Sequence, residues 1–363
     1  MNKERFNNIE ILRVIGCIAI IMFHFFNNDS LNKFFPYTYN YYDLFCITIN
    51  GEKAVDLFFI ISGVFFAIKY SSISVFEFIK KKVLRLWPVL IWVMFLSLLI
   101  SFTGAIKFTL YDNILTLLGL SGTGLILKLG NVGWFWYVSA MLWVMTLFKY
   151  LLQNYNKKNV NLFISISVFL AYIFILHAMN GKIAGHKITF AYIFNIGILR
   201  AMGGIGIGYL VGEWYKNNCE KIKQLQLSLT NKIILTVIEY YCLFFVIYNL
   251  MLHKLRYHNQ FIFIIFFAAT IILFLIKKGF VSNALNNSFC AFLGKYTYSF
   301  YMTHLIIIQL IKGTIWKHQP WLVFDHPLLN IILPFTAIFI LGIMTYHFVE
   351  KPANDYITKK LLR

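Results

Sequence analysis

Blocks of roughly 20 consecutive apolar residues, each long enough to cross a hydrocarbon core as a helix, recur along the whole of this 363-residue chain. They fall at 9–28, 54–70, 86–103, 133–152, 161–179, 188–212, 231–251, 260–277, 289–311 and 329–349. Hydrophobic residues make up 60% of the chain and charged ones 13%, and soluble domains carry a smaller apolar share. The expectation is all-α, a polytopic integral-membrane helical bundle of about ten transmembrane helices. The first block is longer than a signal h-region and has no small-residue cleavage site, so it should stay in the mature chain. The stretch 108–128 is apolar but broken by glycines and reads as an interfacial or re-entrant piece. No loop has room for a soluble domain, so residues 1–363 should form one membrane-embedded domain with no appended soluble domain.

Lysine and arginine set the orientation. With the N-terminus inside, segments such as 69–85, 149–158 and 213–230 carry cations in an excess of about two to one over the opposite side. That bias places both termini in the cytoplasm, with 29–53 outside. It also gives the net charge of +19 a source in topology and anionic lipid. Nucleic-acid binding needs a soluble basic module, and none is present. The cysteines have no metal-ligand spacing, so neither a zinc site nor a disulfide framework is expected.

The first block, "RFNNIEILRVIGCIAIIMFHFF" (5–26), carries Arg13 and His24 at membrane depth. Eleven positions amount to three helical turns plus about 20°, so both project from nearly one face, about 16 Å apart along the axis. Polar groups on one face of a spanning helix belong against the bundle interior. Two readings stay open on this helix alone. Arg13 and His24 line a channel, or the arginine snorkels to the interface and the histidine bonds to a neighbouring helix.

Further segments add chemistry. "GEKAVDLFFIISGVFF" (51–66) sets Glu52, Lys53 and Asp56 at the outer edge of the second block and Ser62-Gly63 in mid-membrane, where small residues let helices approach. "FIKKKVLRLWP" (78–88) gathers Lys80, Lys81, Lys82 and Arg85 on the cytoplasmic side, suited either to lipid head groups or to a soluble polyphosphate. "WFWYVSAML" (134–142) puts aromatics at the outer interface, and "GKYTYSFYMTH" (294–304) puts Tyr298, Tyr301 and His304 on roughly one side of a helix. Arg200, alone in the sixth block, needs either a cavity or a buried partner. "GGIGIG" (203–208) lies inside an apolar helix, so it is no dinucleotide loop. Gly204, Gly208 and Gly212, four apart, read as a helix-packing face.

In this order the segments resemble the integral-membrane acyltransferases of acyltransferase family 3, over nearly the whole chain. Arg13 and His24 match its arginine–ten residues–histidine signature, and Val55 to Gly63 match V-D-L-F-F-x-x-S-G. Lys80 to Pro88 stand for its basic loop and proline, and Trp136-Tyr137 for its W-F-L or W-S-L element. Residues 294–304 match G-x-x-S-Y-S-x-Y-x-x-H, and Glu350-Lys351-Pro352 the closing E-K-P. The acidic pair that follows W-S-L in some members is absent, with Ala140-Met141 in its place.

The resemblance implies a bacterial cytoplasmic-membrane O-acyltransferase. The donor would be cytoplasmic acetyl-CoA or another acyl-CoA, and the acceptor a hydroxyl of an envelope polysaccharide or its lipid-linked precursor. Lys80, Lys81, Lys82, Arg85 and Arg200 would hold the donor, and Arg13 and His24 would be catalytic, with His24 as base or acyl carrier. Asp56, Trp136, Tyr137, Tyr298, Tyr301 and His304 would contact substrate, the last three as oxyanion donors. Membrane lipids are the expected surroundings, with no metal, no resident cofactor and no nucleic acid. The competing reading is a glycan exporter or flippase without acyl transfer. Such transporters often show internal repeats with broken helices in matching places, and no such repeat is visible.

Overall fold

A computed structural model describes residues 6–26, 50–69, 72–121, 123, 131–183, 185, 189–190, 194–252, 260–314, 318 and 329–361. The expected outer loop 29–49, with Cys46, and most of 122–130 lie outside the described residues. Among the described residues the regular structure is helical apart from one antiparallel ribbon, β1 (Thr189–Phe190) and β2 (Phe194–Asn195).

The helices follow the apolar blocks. They are α1 (Asn7–Phe26), α2 (Ala54–Lys69), α3 (Val75–Ser101), α4 (Leu110–Leu117), α5 (Trp136–Asn154), α6 (Lys157–Ala178), α7 (Ile196–Gln224) and α8 (Leu229–Ile247). After these come α9 (Phe261–Ile276), α10 (Phe280–Ala284), α11 (Ser288–Gly294), α12 (Thr297–Gly313), α13 (Leu329–Thr345) and α14 (Lys351–Leu361). Among the described residues seven helices are long and apolar enough to cross a membrane. The helix over 261–276 is apolar but shorter, and those over 54–69 and 297–313 have 16 and 17 residues.

Two differences from the sequence reading have local causes, and the glycine-broken stretch gains a described helix. The basic segment is helix rather than loop. The Ser74 hydroxyl accepts from the Glu77 N–H at 3.2 Å while the Glu77 carboxylate accepts from the Ser74 N–H at 3.4 Å, a reciprocal cap that starts α3 well before the apolar block. The block 289–311 is two helices, α11 and α12, which break at Lys295 and Tyr296. Residues 110–117 form a short helix whose Leu110, Tyr111 and Ile114 point outward.

Two seams hold the site. In one, α2 and α7 meet backbone to backbone. Gly63 lies on Ile205 and Gly208, Gly208 on Ile60, and Gly212 on Val64 and Ala67, in keeping with the four-residue glycine spacing. Any side chain there would meet main-chain atoms. In the other, α1 runs beside α11 and α12 in the same sense. Glu10 lies on Gly294, the Cys17 thiol reaches the Thr297 carbonyl at 3.5 Å, and His24 meets His304. Asn8 anchors the start of α1, its carboxamide donating to the Phe274 carbonyl at 2.7 Å and that of Ser282 at 3.2 Å.

Candidate active site

A cavity of about 190 Å³ opens between α1, α2, α3, α5 and α12. Arg13, Lys69, Lys82 and Arg85 supply four cations to its lining and Glu10 one carboxylate. Arg13 donates to Glu10 at 2.8 Å, so that carboxylate is already half-spent on its own helix. Lys82, Arg85 and Leu86 share one face of α3, as steps of three and four require. The surplus of positive charge in a partly water-excluded space suits a phosphorylated ligand.

A neighbouring cavity of about 450 Å³ shares Glu10, Arg13, Phe65, Lys69, Arg85 and Tyr298 with the first and adds Lys295 and Glu350. Together the two spaces lie in the usual size range of ligand pockets. Local backbone irregularity builds this end. The break at Lys295 frees its ammonium to lie 4.2 Å from the centre of the Phe292 ring and 4.6 Å from that of Tyr296. A π-helical turn, Tyr346–Glu350, presents Glu350 inward, where it accepts the Ser299 hydroxyl at 2.6 Å. Such turns recur at functional sites.

Beyond Tyr301 stands a pair of histidines, with His24 and His304 ring centroids 5.3 Å apart. His304 is fully buried and its Nδ1 lies 2.6 Å from the Tyr301 carbonyl. A carbonyl only accepts, so Nδ1 carries a proton, and in the neutral imidazole Nε2 then keeps its lone pair. That Nε2 has no hydrogen-bond partner among the described residues. Trp134 and Tyr301 pack against the His304 ring, with centroids at 6.3 and 5.8 Å. On the turn before α2, burial pushes Lys53 below the ordinary lysine range, against the opposing pull of Glu52.

The structure therefore brings Arg13, Lys82, Arg85, Tyr137, Tyr298 and Tyr301 to one cavity and sets His24 with His304 beside it. Arg200 and Asp56 go elsewhere. They hold each other, with Nη2–Oδ2 at 2.7 Å and Nε–Oδ1 at 3.2 Å. Arg200 donates further to the carbonyls of Gly185 and Glu52 at 3.0 and 3.2 Å and lies over the Trp136 ring at 5.5 Å. Four of the five N–H donors of this guanidinium are so engaged. It ties α7 to α2 and α5, and Trp136 belongs to the same packing.

Lys80 and Lys81 line neither cavity. The tyrosines also change role. Tyr298 gives its one O–H to the Leu86 carbonyl and Tyr301 its own to the Trp134 carbonyl, both at 2.7 Å. Those protons are committed, and so is the only N–H of neutral His304, so none of the three stands ready as an oxyanion donor. Glu10, Lys69, Lys295, Ser299 and Glu350 were not expected at the site. The break at Lys295 and the π turn at Glu350 are tertiary features with no periodic signal.

Residues 6–348 match the model of a protein family described as "Acyltransferase domain". No curated protein and no solved structure matches the chain.

Proposed function

The chain belongs to acyltransferase family 3, and from that premise we propose that it moves an acetyl or similar acyl group from cytoplasmic acyl-CoA to a hydroxyl of a cell-envelope polysaccharide or its lipid-linked precursor. It is a multi-pass membrane protein with several helices able to cross a bilayer. The proposal adds that about ten helices cross the bacterial cytoplasmic membrane, with both termini inside. The observation that carries the reading is the cation-lined cavity on α1, α2 and α3, which approaches the His24–His304 pair along the one helix that bears both Arg13 and His24.

Coenzyme A presents a diphosphate and a ribose phosphate, and Arg13, Lys69, Lys82, Arg85 and Lys295 supply cations for them. The pantetheine arm would then follow α1 towards the histidines. At His24 the acceptor hydroxyl loses its proton to the imidazole as its oxygen attacks the thioester carbonyl. The C–S bond breaks as the ester C–O bond forms, and the proton passes to the departing sulfur, leaving coenzyme A as its thiol. His304, with its free Nε2 lone pair, suits the role of holding that proton in transit. The test is the acyl content of envelope glycan in cells that express the chain or its His24→Ala variant, scaled to inserted protein. Loss with His24→Ala at normal insertion is expected, and undiminished acylation would overturn the mechanism.

A further inference from the structure

The cation-lined cavity stops short of the histidines. Its inner end is closed by Phe58 of α2, Tyr137 of α5 and Tyr301 of α12, all three of which line it. Their ring centroids lie 6.1 Å (Phe58–Tyr137), 6.5 Å (Phe58–Tyr301) and 5.8 Å (Tyr137–Tyr301) apart, mutual contact for aromatic rings. His304 packs on Tyr301, yet neither His304 nor His24 lines the cavity. On α1 the closure falls at Gly16, between Arg13 and His24. The Phe58 ring edge sits 3.3 Å from where a Gly16 Cβ would be, so glycine there leaves just enough room for the ring.

The three rings are not held alike. Tyr301 is pinned by its 2.7 Å bond to the Trp134 carbonyl. Tyr137 reaches Ser62 at 3.4 Å, near the limit of a hydrogen bond. Phe58 has no polar atom, so its ring is the one whose displacement breaks no hydrogen bond. Phe58 stands against α1 at Gly16, between Arg13 and His24.

We propose that Phe58, closing against Gly16, Tyr137 and Tyr301, is the residue that sets the size of acyl group this protein accepts. The inference rests on the acyl-CoA reading above. A two-carbon acyl group needs a small excursion of the ring, and each further methylene needs a larger one in a packed surrounding that resists it. Pockets of this kind discriminate one methylene by about 10- to 200-fold.

The test uses the full-length protein in lipid nanodiscs. Coenzyme A, acetyl-CoA and butanoyl-CoA compete with labelled acetyl-CoA, for the unmutated chain and for Phe58→Ala. The unmutated protein should prefer acetyl-CoA to butanoyl-CoA, and Phe58→Ala should narrow that ratio by roughly tenfold or more. Tyr137→Phe, which keeps the ring and removes only the hydroxyl, should leave the ratio near the unmutated value. Phe58→Leu, smaller but still apolar and branched, should narrow it partway and serves where the alanine variant is not inserted. Coenzyme A that binds with a ratio unmoved by either Phe58 change overturns the size filter alone. Failure of coenzyme A and both thioesters to bind the unmutated protein overturns the donor reading, and the filter with it.

Discussion

His24 and His304 stand ring beside ring, centroids 5.3 Å apart, on helices from the two ends of the chain. The contact forms because α1 runs beside α11 and α12 in the same sense, from Glu10 against Gly294, through Cys17 at Thr297, to the histidines. With its Nδ1 proton committed to the Tyr301 carbonyl, His304 can only accept at Nε2. Two imidazoles so placed should act as one unit.

The first prediction follows from that pairing. His24→Ala should lower acyl transfer per inserted molecule by about 100-fold or more, the usual worth of a positioned acid or base. His304→Ala should cost a substantial part of that, and the double variant little beyond His24→Ala, because residues acting together are non-additive. His304→Gln keeps an acceptor but cannot carry a proton, so it should not rescue. Multiplicative losses in the double variant would mean that the histidines work separately.

A second prediction concerns the pair that left the cavity. Asp56 and Arg200 are both fully buried, and removing one leaves the other charge without its partner. Asp56→Ala should destabilise the fold by about 3–5 kcal/mol, seen as a large drop in folded, inserted protein. Arg200→Lys keeps the charge but loses the two-pronged contact with Asp56 and should also lower the yield. Acyl transfer per surviving molecule should fall much less than for His24→Ala. Normal yield with abolished transfer would return these residues to the chemistry.

The glycine seam gives a third. At Gly208 an added methyl group would meet the Ile60 carbonyl, main chain that cannot step aside, so Gly208→Ala should force α2 and α7 apart. Overpacking a core usually costs about 1–3 kcal/mol, and backbone contact puts this site at the upper end. Gly206→Ala on the same helix meets the side chains of Val168 and Ile164 before any main chain, and should cost less. Thermal unfolding of the two variants in detergent would rank them, and equal midpoints would refute the close-packed seam.

Sequence carried the helices and part of the site. The apolar blocks located every long helix because each must satisfy its backbone within one segment. The eleven-residue step from Arg13 to His24 put both on nearly one face of α1, where Arg13 lines the cavity and His24 meets His304. Long-range partnership was not legible. Nothing periodic says that Arg200 meets Asp56 across 144 positions, or that the tyrosine hydroxyls are used up on the carbonyls of Leu86 and Trp134. The phase of Lys80 to Arg85 was recoverable, since Ser74 and Glu77 spell a capping box that starts the helix and fixes which cations share a face.

That phase yields the last prediction. Lys82 and Arg85 line the cavity, whereas Lys80 and Lys81, on the same helix and of the same charge, do not. Changing Lys82 and Arg85 together to alanine should weaken acyl-CoA binding by roughly tenfold or more, since hydrogen bonds to charged groups are among the stronger ones. The same double change at Lys80 and Lys81 should weaken it by no more than about twofold, through loss of long-range attraction alone. Salt separates the contributions further. Lys80 is exposed and its contribution should vanish near 1 M salt, where the Debye length is about 3 Å. Part of the Lys82–Arg85 contribution should persist, because Lys82 and its cavity are partly shielded from water. Titration of acetyl-CoA at low and high salt against both double variants decides the matter. If the two doubles lose equal affinity and salt removes it equally, the basic stretch serves the membrane surface, and the donor is held elsewhere.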